Sequence, residues 1–428
     1  MNHRLSLIAP LLMALATPAF TQDVTITPKV EAKKSQTPAL VIKTNKHEIA
    51  SGMAEGFEVQ GEVPEAKDGQ HYVISIDDGG KAKVVIADGK AGYMEVHAKP
   101  GPLMEIFADK IEQARGMAQG FGTMALQQAG MKTKDAVRFI QSVFDFPKQI
   151  ESFEMNIASD PEHAKKDGMD IDMQMTAVAG TGFAEFVAAM RPNGLGAPQV
   201  GSGGGMMSMT AGLDGKGLAK AVMPLMSFIT PMVAKTEEDS KKFSALTEKM
   251  LGLTDGSLGM EMVGDGMHFV LGLTDGKTYQ ELMTSPEYKA FAKLGTPAAE
   301  VEVTDKAFEH RSVSVTKSVV KPKEGSELPP NPLFGDGPVE TFSAVAGNYM
   351  VMTMGGGKDQ AIKGLIDNAL DQKVKRTPLA GGALMIIALD MGKLSEKMGG
   401  QAEEDAPETM TMSLTRTTTG LGFKIHAK

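Results

Sequence analysis

The chain has no cysteine and no tryptophan, and aromatic residues make up only 5% of its 428 positions. Without cysteine there can be no disulfide, no thiolate metal site, no cysteine nucleophile and no lipid-modified N-terminal cysteine. Such a chain must hold itself together by burial, and its length is sufficient for one large body or two related ones. The shortage of aromatic rings argues against a sugar-binding cleft, and so against a glycosidase built on paired carboxylates. The net charge of −9 is mildly acidic. Nucleic acid is therefore not expected as a partner, because its phosphates require a basic face. There is also no basic amphipathic helix of the kind that lies on anionic lipid.

Long apolar runs are missing as well. The longest sits at the start, where Leu5 to Ala16 is interrupted only by Ser6 and Pro10. It falls well short of the roughly 20 residues that span a bilayer. Asn2, His3 and Arg4 precede it, and the small residues of Thr17-Pro18-Ala19 and Ala19-Phe20-Thr21 follow it. This three-part pattern reads as a secretory signal over residues 1–21, with cleavage between Phe20 and Asp23. The expected location is therefore periplasmic or secreted, with no transmembrane segment left once the signal is removed. Residues 22–38 (QDVTITPKVEAKKSQTP) have no apolar period and read as a flexible leader. The remainder divides into a first half, 39–205, and a second half, 206–428, the latter with a Pro/Gly-rich loop at 321–338. Further breaks fall at 192–205 and 399–407.

Between the breaks the dominant period is two. Met169, Ile171, Met173 and Met175 alternate with Asp170, Asp172 and Gln174. Phe153, Met155 and Ile157 alternate with Glu154 and Asn156. Leu258, Met260 and Met262 are followed, after Gly264-Asp265-Gly266, by Phe269, Leu271 and Leu273. Met410, Met412 and Leu414 pair in the same way with Leu421, Phe423 and Ile425. Such alternation predicts antiparallel hairpins with one wet face. Helical stripes separate them: Phe183, Phe186, Val187 and Met190 after Thr181; Ile362, Leu365, Ile366, Ala369 and Leu370; and Leu103, Ile106, Phe107 and Ile111. Asp214 and Asp390 stand where a strand gives way to a helix, as N-caps do.

Those two aspartates expose a repeat. Residues 207–222 (MSMTAGLDGKGLAKAV) and 384–398 (LMIIALDMGKLSEKM) share an apolar strand, Leu-Asp, and a Gly-Lys helix start, and each leads to a hairpin. A weaker copy begins at Gly92 with GYMEVHA. The run FPKQIESFEMNIASD followed by DGMDIDMQMTAVAGTGFAEFVAAM resembles exported bacterial proteins of unknown function of the planctomycete type, which repeat an amphipathic hairpin and a short capped helix. The resemblance implies an exported location and a helix-on-sheet fold, and it brings no catalytic residues. The fold expected is α+β: a long, curved antiparallel sheet with helices packed on one face, built from strand–helix–hairpin units.

No motif for chemistry survives inspection. Gly272-Leu-Thr-Asp-Gly276-Lys277-Thr278 has three residues between its glycines where a phosphate loop has four, so it reads as a turn with Asp275 capping a helix. Ser314-Val-Thr-Lys317 matches Ser-x-x-Lys, but it lies in a strand pattern and lacks its Lys-Thr-Gly partner. No two of the eight histidines lie close enough in sequence to make a local metal pair. Catalytic, cofactor-binding and metal-binding residues are therefore all read as none. Methionine, at 32 residues, is the compositional outlier. Met350, Met352 and Met354, with Met260 and Met262 and with Met410 and Met412, suggest a copper(I) site, an adaptable apolar surface or plain core packing. Plain packing is preferred, since Leu, Ile and Phe hold equivalent places. The function expected is a non-catalytic binding or scaffold protein with an envelope or extracellular partner. A carrier of lipid or another apolar ligand ranks second, and an envelope-polymer hydrolase third.

Overall fold

The computed structural model describes residues 38–428 apart from 78, 129–130, 160–167, 201–203, 216, 220–221, 224–235, 293–298, 323–337, 356–357 and 398–406. The expected signal, nearly all of the leader and most of the two loops at 321–338 and 399–407 lie outside the described residues.

The fold is α+β, with one antiparallel sheet of sixteen strands. Much of it consists of three-stranded meanders in which a strand is followed by helical turns and then a hairpin. The first has β1 (Leu40–Thr44), α1 (His47–Gly56), β2 (Gln70–Ile76) and β3 (Ala82–Asp88). The second has β4 (Met94–Ala98), four helices α2 (Pro100–Ile106), α3 (Ala108–Met117), α4 (Thr123–Gln128) and α5 (Thr133–Asp145), then β5 (Ile150–Ile157) and β6 (Met169–Ala177). After α6 (Gly182–Ala189) and the short β7 (Ala197–Pro198) comes the third: β8 (Met207–Gly212), α7 (Glu237–Gly252), β9 (Thr254–Val263) and β10 (Gly266–Leu273). Helices α8 (Gly276–Met283) and α9 (Pro286–Ala292) lead to a four-stranded meander of β11 (Ala299–His310), β12 (Val313–Pro322), β13 (Val339–Ala346) and β14 (Tyr349–Gly355). Then follow α10 (Lys358–Leu370), β15 (Arg376–Thr377) and a last three-stranded meander, β16 (Ala383–Asp390), α11 (Met391–Lys397), β17 (Thr409–Arg416) and β18 (Gly420–Ala427). The order strand, helix, hairpin also occurs at β1–β3, a stretch the sequence reading did not mark. β12 includes Lys321 and Pro322, the first two residues of the break read from the proline pattern.

Across the sheet the strands lie in the order β11-β12-β13-β14-β10-β9-β8-β16-β17-β18-β6-β5-β4-β1-β2-β3. Neighbouring three-stranded meanders meet like strand to like strand: first to first at β8–β16 and β4–β1, third to third at β18–β6. At β8–β16 the meeting is close to twofold. Thr210 faces Ile386, and each stands four residues before its aspartate. The boundary between residues 39–205 and 206–428 falls inside this continuous sheet, where β6 pairs with β18 over eight residue pairs.

Helix starts follow the capping chemistry read from the sequence. Asp390 Oδ1 accepts from Lys393 N at 3.0 Å, Asp275 Oδ1 from Thr278 N at 3.0 Å, and Thr181 Oγ1 from Ala184 N at 3.3 Å. The backbone oxygen of Asp214 accepts from Leu218 N at 2.7 Å, so this residue also marks a strand-to-helix change. Caps of this kind satisfy N–H groups that the first turn leaves free. Helix α1 starts without one: no side chain caps its first turn at Lys46.

Antiparallel pairing keeps directly opposed residues on one face. The row Met352, Phe269, Met260, Met209, Ile387, Met412, Ile425, Ile171, Ile157 and Met94 therefore lies on a single face from β14 to β4. Most helices pack on that face. Ala50 of α1 and Leu103 of α2 join Ile42, Ile74, Val96 and Ile157; Phe183 and Val187 of α6 meet Leu421; Tyr279 of α8 meets Leu273 and Val345. Helix α10 takes the other face, where Ile362, Leu365 and Ile366 cover Val270, Val315, Ala344 and Val351.

Candidate functional site

Two features of this architecture stand apart from ordinary packing. The first is the middle of the methionine-bearing face. In β14 the completely buried residues are Val351 and Thr353, at 0% and 2% exposure, because α10 seals their side. Met350, Met352 and Met354 point to the opposite face and are half-buried. Of the methionine stripes, Met262 is buried and Met260, Met350, Met354 and Met410 pack partly buried against the core, while Met352 and Met412 lie outside its clusters. Met206, Met262 and Met267 are buried, but Met207, Met209, Met260, Met352, Met385, Met410 and Met412 are not. Met209, Met352, Met385, Ile387 and Met412 belong to none of the buried clusters of the core. They lie on one sheet face between β14 and β17, with α7 and α8 towards one end and α1 and α2 towards the other. Leu394 of α11 packs near Met207 and Met260.

The second feature is a cleft of about 520 Å³, lined by Asp255, Thr274, Asn348, Tyr349, Gln372 and Arg376 together with apolar Leu195, Leu273 and Leu370. Arg376 Nη2 donates to Asp255 Oδ2 at 2.6 Å, Arg376 Nε donates to the Tyr349 hydroxyl at 3.2 Å, and the guanidinium lies 5.3 Å from the Tyr349 ring centre. Asp255 Oδ1 accepts from both the amide and the hydroxyl of Ser257. The carboxylate is 8% exposed and the guanidinium side chain 20%. This pair joins residues 121 positions apart, which no sequence spacing announces. Arg376 Nη1 is buried and has no hydrogen-bond partner among the described residues.

A buried polar row behind β10 also escaped the sequence. Glu261 looks like an outward residue between two methionines, yet it is 1% exposed. Its Oε1 accepts from Gly205 N at 3.0 Å, while Oε2 has no hydrogen-bond partner among the described residues. His268 and Thr353 follow it on the adjacent strands. Burial holds the His268 imidazole below its ordinary pKa, against the pull of Glu261.

The motifs set aside in the sequence fall where that reading put them. Lys277 is exposed within 4.0 Å of Glu281, and Ser314 and Lys317 lie in β12, with Lys317 paired to Glu340 at 3.0 Å. His426 meets Asp170 at 2.7 Å, and His310 meets Asp367 at 2.8 Å. His163 lies outside the described residues. Among the described residues no group of three or more His, Asp or Glu is arranged to hold a metal, and no helix is long and apolar enough to cross a membrane.

No known family matches this sequence, and no curated protein matches it. Among solved structures, crystal form IV of TP0453, a Treponema protein, aligns with 55% of this chain and 80% of its own, at a TM-score of 0.29 and 10% identity. A likeness of that size carries no argument about fold, ligand or role.

Proposed function

We propose that the protein is an exported, non-catalytic binding protein that holds an apolar ligand of the lipid or acyl-chain kind. The observation that carries this reading is the half-buried strip of Met209, Met352, Met385, Ile387 and Met412. Thioether side chains are flexible and polarizable, so a floor of methionines adapts to chains of varied shape. Ligand sites are concave and mostly apolar, and helices around an apolar sheet face suit that pattern. The export reading rests on the N-terminal signal pattern, and the non-catalytic reading on the absence of any recognisable nucleophile with a base.

The test is direct. The chain has no tryptophan, so N-phenyl-1-naphthylamine can be titrated against it without tryptophan interference. Saturable binding is expected, displaced by a fatty acid. Met209→Lys and Met412→Lys, each with unchanged circular dichroism, are expected to weaken it at least about tenfold, since a charge on the strip must be desolvated before a chain can lie there. Equal binding by the wild type and both variants would place the probe elsewhere and end this reading. Turnover of peptidoglycan, polysaccharide or casein by the purified protein would remove its non-catalytic part.

A further inference from the structure

Among the described residues the sheet has two open edges, and they are built differently. At one, β11 is twelve residues long and strongly charged, with Glu300, Glu302, Asp305, Lys306 and Glu309 all exposed. Its register with β12 breaks between Thr304 and Phe308, and Lys306 sits at φ 52°. Charges and a bulge are the usual devices that keep an edge from pairing. At the other edge, β3 reads AKVVIAD, has no bulge against β2 and no proline. Lys83 is its one central charge. Val84, Val85 and Ile86 are consecutive β-branched residues, and Val85 is 44% exposed.

We propose that β3 pairs with β3 of a second copy of this chain, antiparallel and centred on Val85. The hydrogen-bond phase permits it. Asp77 N donates to Lys81 O at 3.1 Å and Gly89 N to Gly69 O at 2.7 Å, so the odd-numbered residues between 81 and 89 bond inward to β2. The N–H and C=O groups of Ala82, Val84, Ile86 and Asp88 therefore face outward, and among the described residues no strand lies beyond them. A twofold through Val85 sets Val84 against Ile86 and Ala82 against Asp88, exchanging about eight hydrogen bonds. Val85 then meets its own counterpart across the narrow, non-hydrogen-bonded site, and Lys83 faces Ala87, so no like charges oppose one another. Val84 and Ile86 already pack against the core containing Ile74 and Tyr72, and pairing would continue that core across the edge.

The molecule itself supplies the precedent for the occupant. β3 is the third strand of its meander. Where two third strands meet inside this sheet, at β6–β18, they pair antiparallel over eight residue pairs. A second copy offers β3 the same kind of partner, and closure about a twofold uses up both edges at once.

The absence of cysteine makes the test clean. Val85→Cys places two sulfurs at the dyad, where opposed side chains of a non-hydrogen-bonded pair approach within disulfide reach. Mild oxidation is expected to give a covalent dimer with Val85→Cys and none with Val263→Cys, whose parent valine is 46% exposed at the end of β9. Sedimentation of the wild type is expected to show a reversible dimer that Val85→Lys weakens at least about tenfold, because like charges then oppose at closest approach. A wild type that stays monomeric up to millimolar concentration overturns the proposal. So does equal cross-linking of the two cysteine variants, or a dimer that forms only after residues 22–38 are removed.

Discussion

At β4–β6 one face of the sheet is wet, whereas at β9, β10, β13 and β14 both faces carry buried or half-buried residues, α10 sealing one and half-buried methionines lining much of the other. In β5 and β6 the buried residues Phe153, Met155, Ile157, Met169 and Ile171 alternate with exposed Glu154, Asn156, Asp170 and Asp172. In β14, buried Val351 and Thr353 alternate with half-buried Met350, Met352 and Met354. The first pattern states both the period and the direction of burial. The second states only the period, because each face carries residues that suit an interior. Helix α10 is what distinguishes them, and it is supplied by a separate stretch of chain.

Breaking the contact that ties down the α10 end should have the largest effect. Arg376→Ala leaves the Asp255 carboxylate buried without its partner and is expected to cost about 3–5 kcal/mol. Lys424→Ala, at the wet-faced end, removes an ion pair to Asp172 whose two side chains are 64% and 49% exposed, and is expected to cost no more than about 1 kcal/mol. Urea unfolding of both variants checks the contrast. Equal losses would mean that the Asp255–Arg376 pair is as well solvated as a surface pair.

Neighbouring positions sharpen the comparison at smaller amplitude. At the α10 end, Val351→Ala and Met352→Ala should each cost about 1–3 kcal/mol, since both faces lose contacts. At the wet-faced end only one neighbour of such a pair matters, and Asp172→Ala is expected to stay within about 0.5 kcal/mol. If Met352→Ala proves as neutral as Asp172→Ala, the methionine face is far more open than its burial indicates.

These contrasts also show what could be read before the structure. The hairpin β5–β6 was legible because Asp170, Asp172 and Gln174 have to face water. The caps at Asp275 and Asp390 were legible because local hydrogen bonds fix them. The meander β1–β3 was not, since α1 starts at Lys46 without a capping side chain and Val84, Val85 and Ile86 give no alternation. Sheet order was beyond reach as well: β8 finds β16, and β18 finds β6, across long stretches of intervening chain. Of the sites, the methionine strip was visible as composition, but its exposure depends on which face α10 covers. The Asp255–Arg376 cleft and buried Glu261 left no signal, because each is defined by residues that only the sheet brings together.

The smallest expected effect concerns protons at the α10 end. His268 lies on β10 between Glu261 and Thr353 on the flanking strands. Burial depresses its pKa below the ordinary 6.5, and the Glu261 carboxylate opposes that shift without cancelling it. An unfolded chain takes up the proton near the ordinary value, whereas the folded chain waits until the pH is lower. Between those two values the unfolded state binds more protons, so stability rises with pH there. The contribution is complete above about pH 6.5 and is lost as acidification passes down through the folded pKa. His268→Gln removes this dependence while keeping a polar side chain against Glu261. Urea midpoints measured from pH 8 to pH 5 should fall more steeply for the wild type than for the variant. Carboxylates elsewhere titrate in both proteins and drop out of the difference. At the wet-faced end, His426→Gln serves as the control, because His426 is exposed and sits beside Asp170 on the wet face. A His268→Gln curve parallel to that of the wild type would show that water reaches this imidazole and that the second face is not sealed.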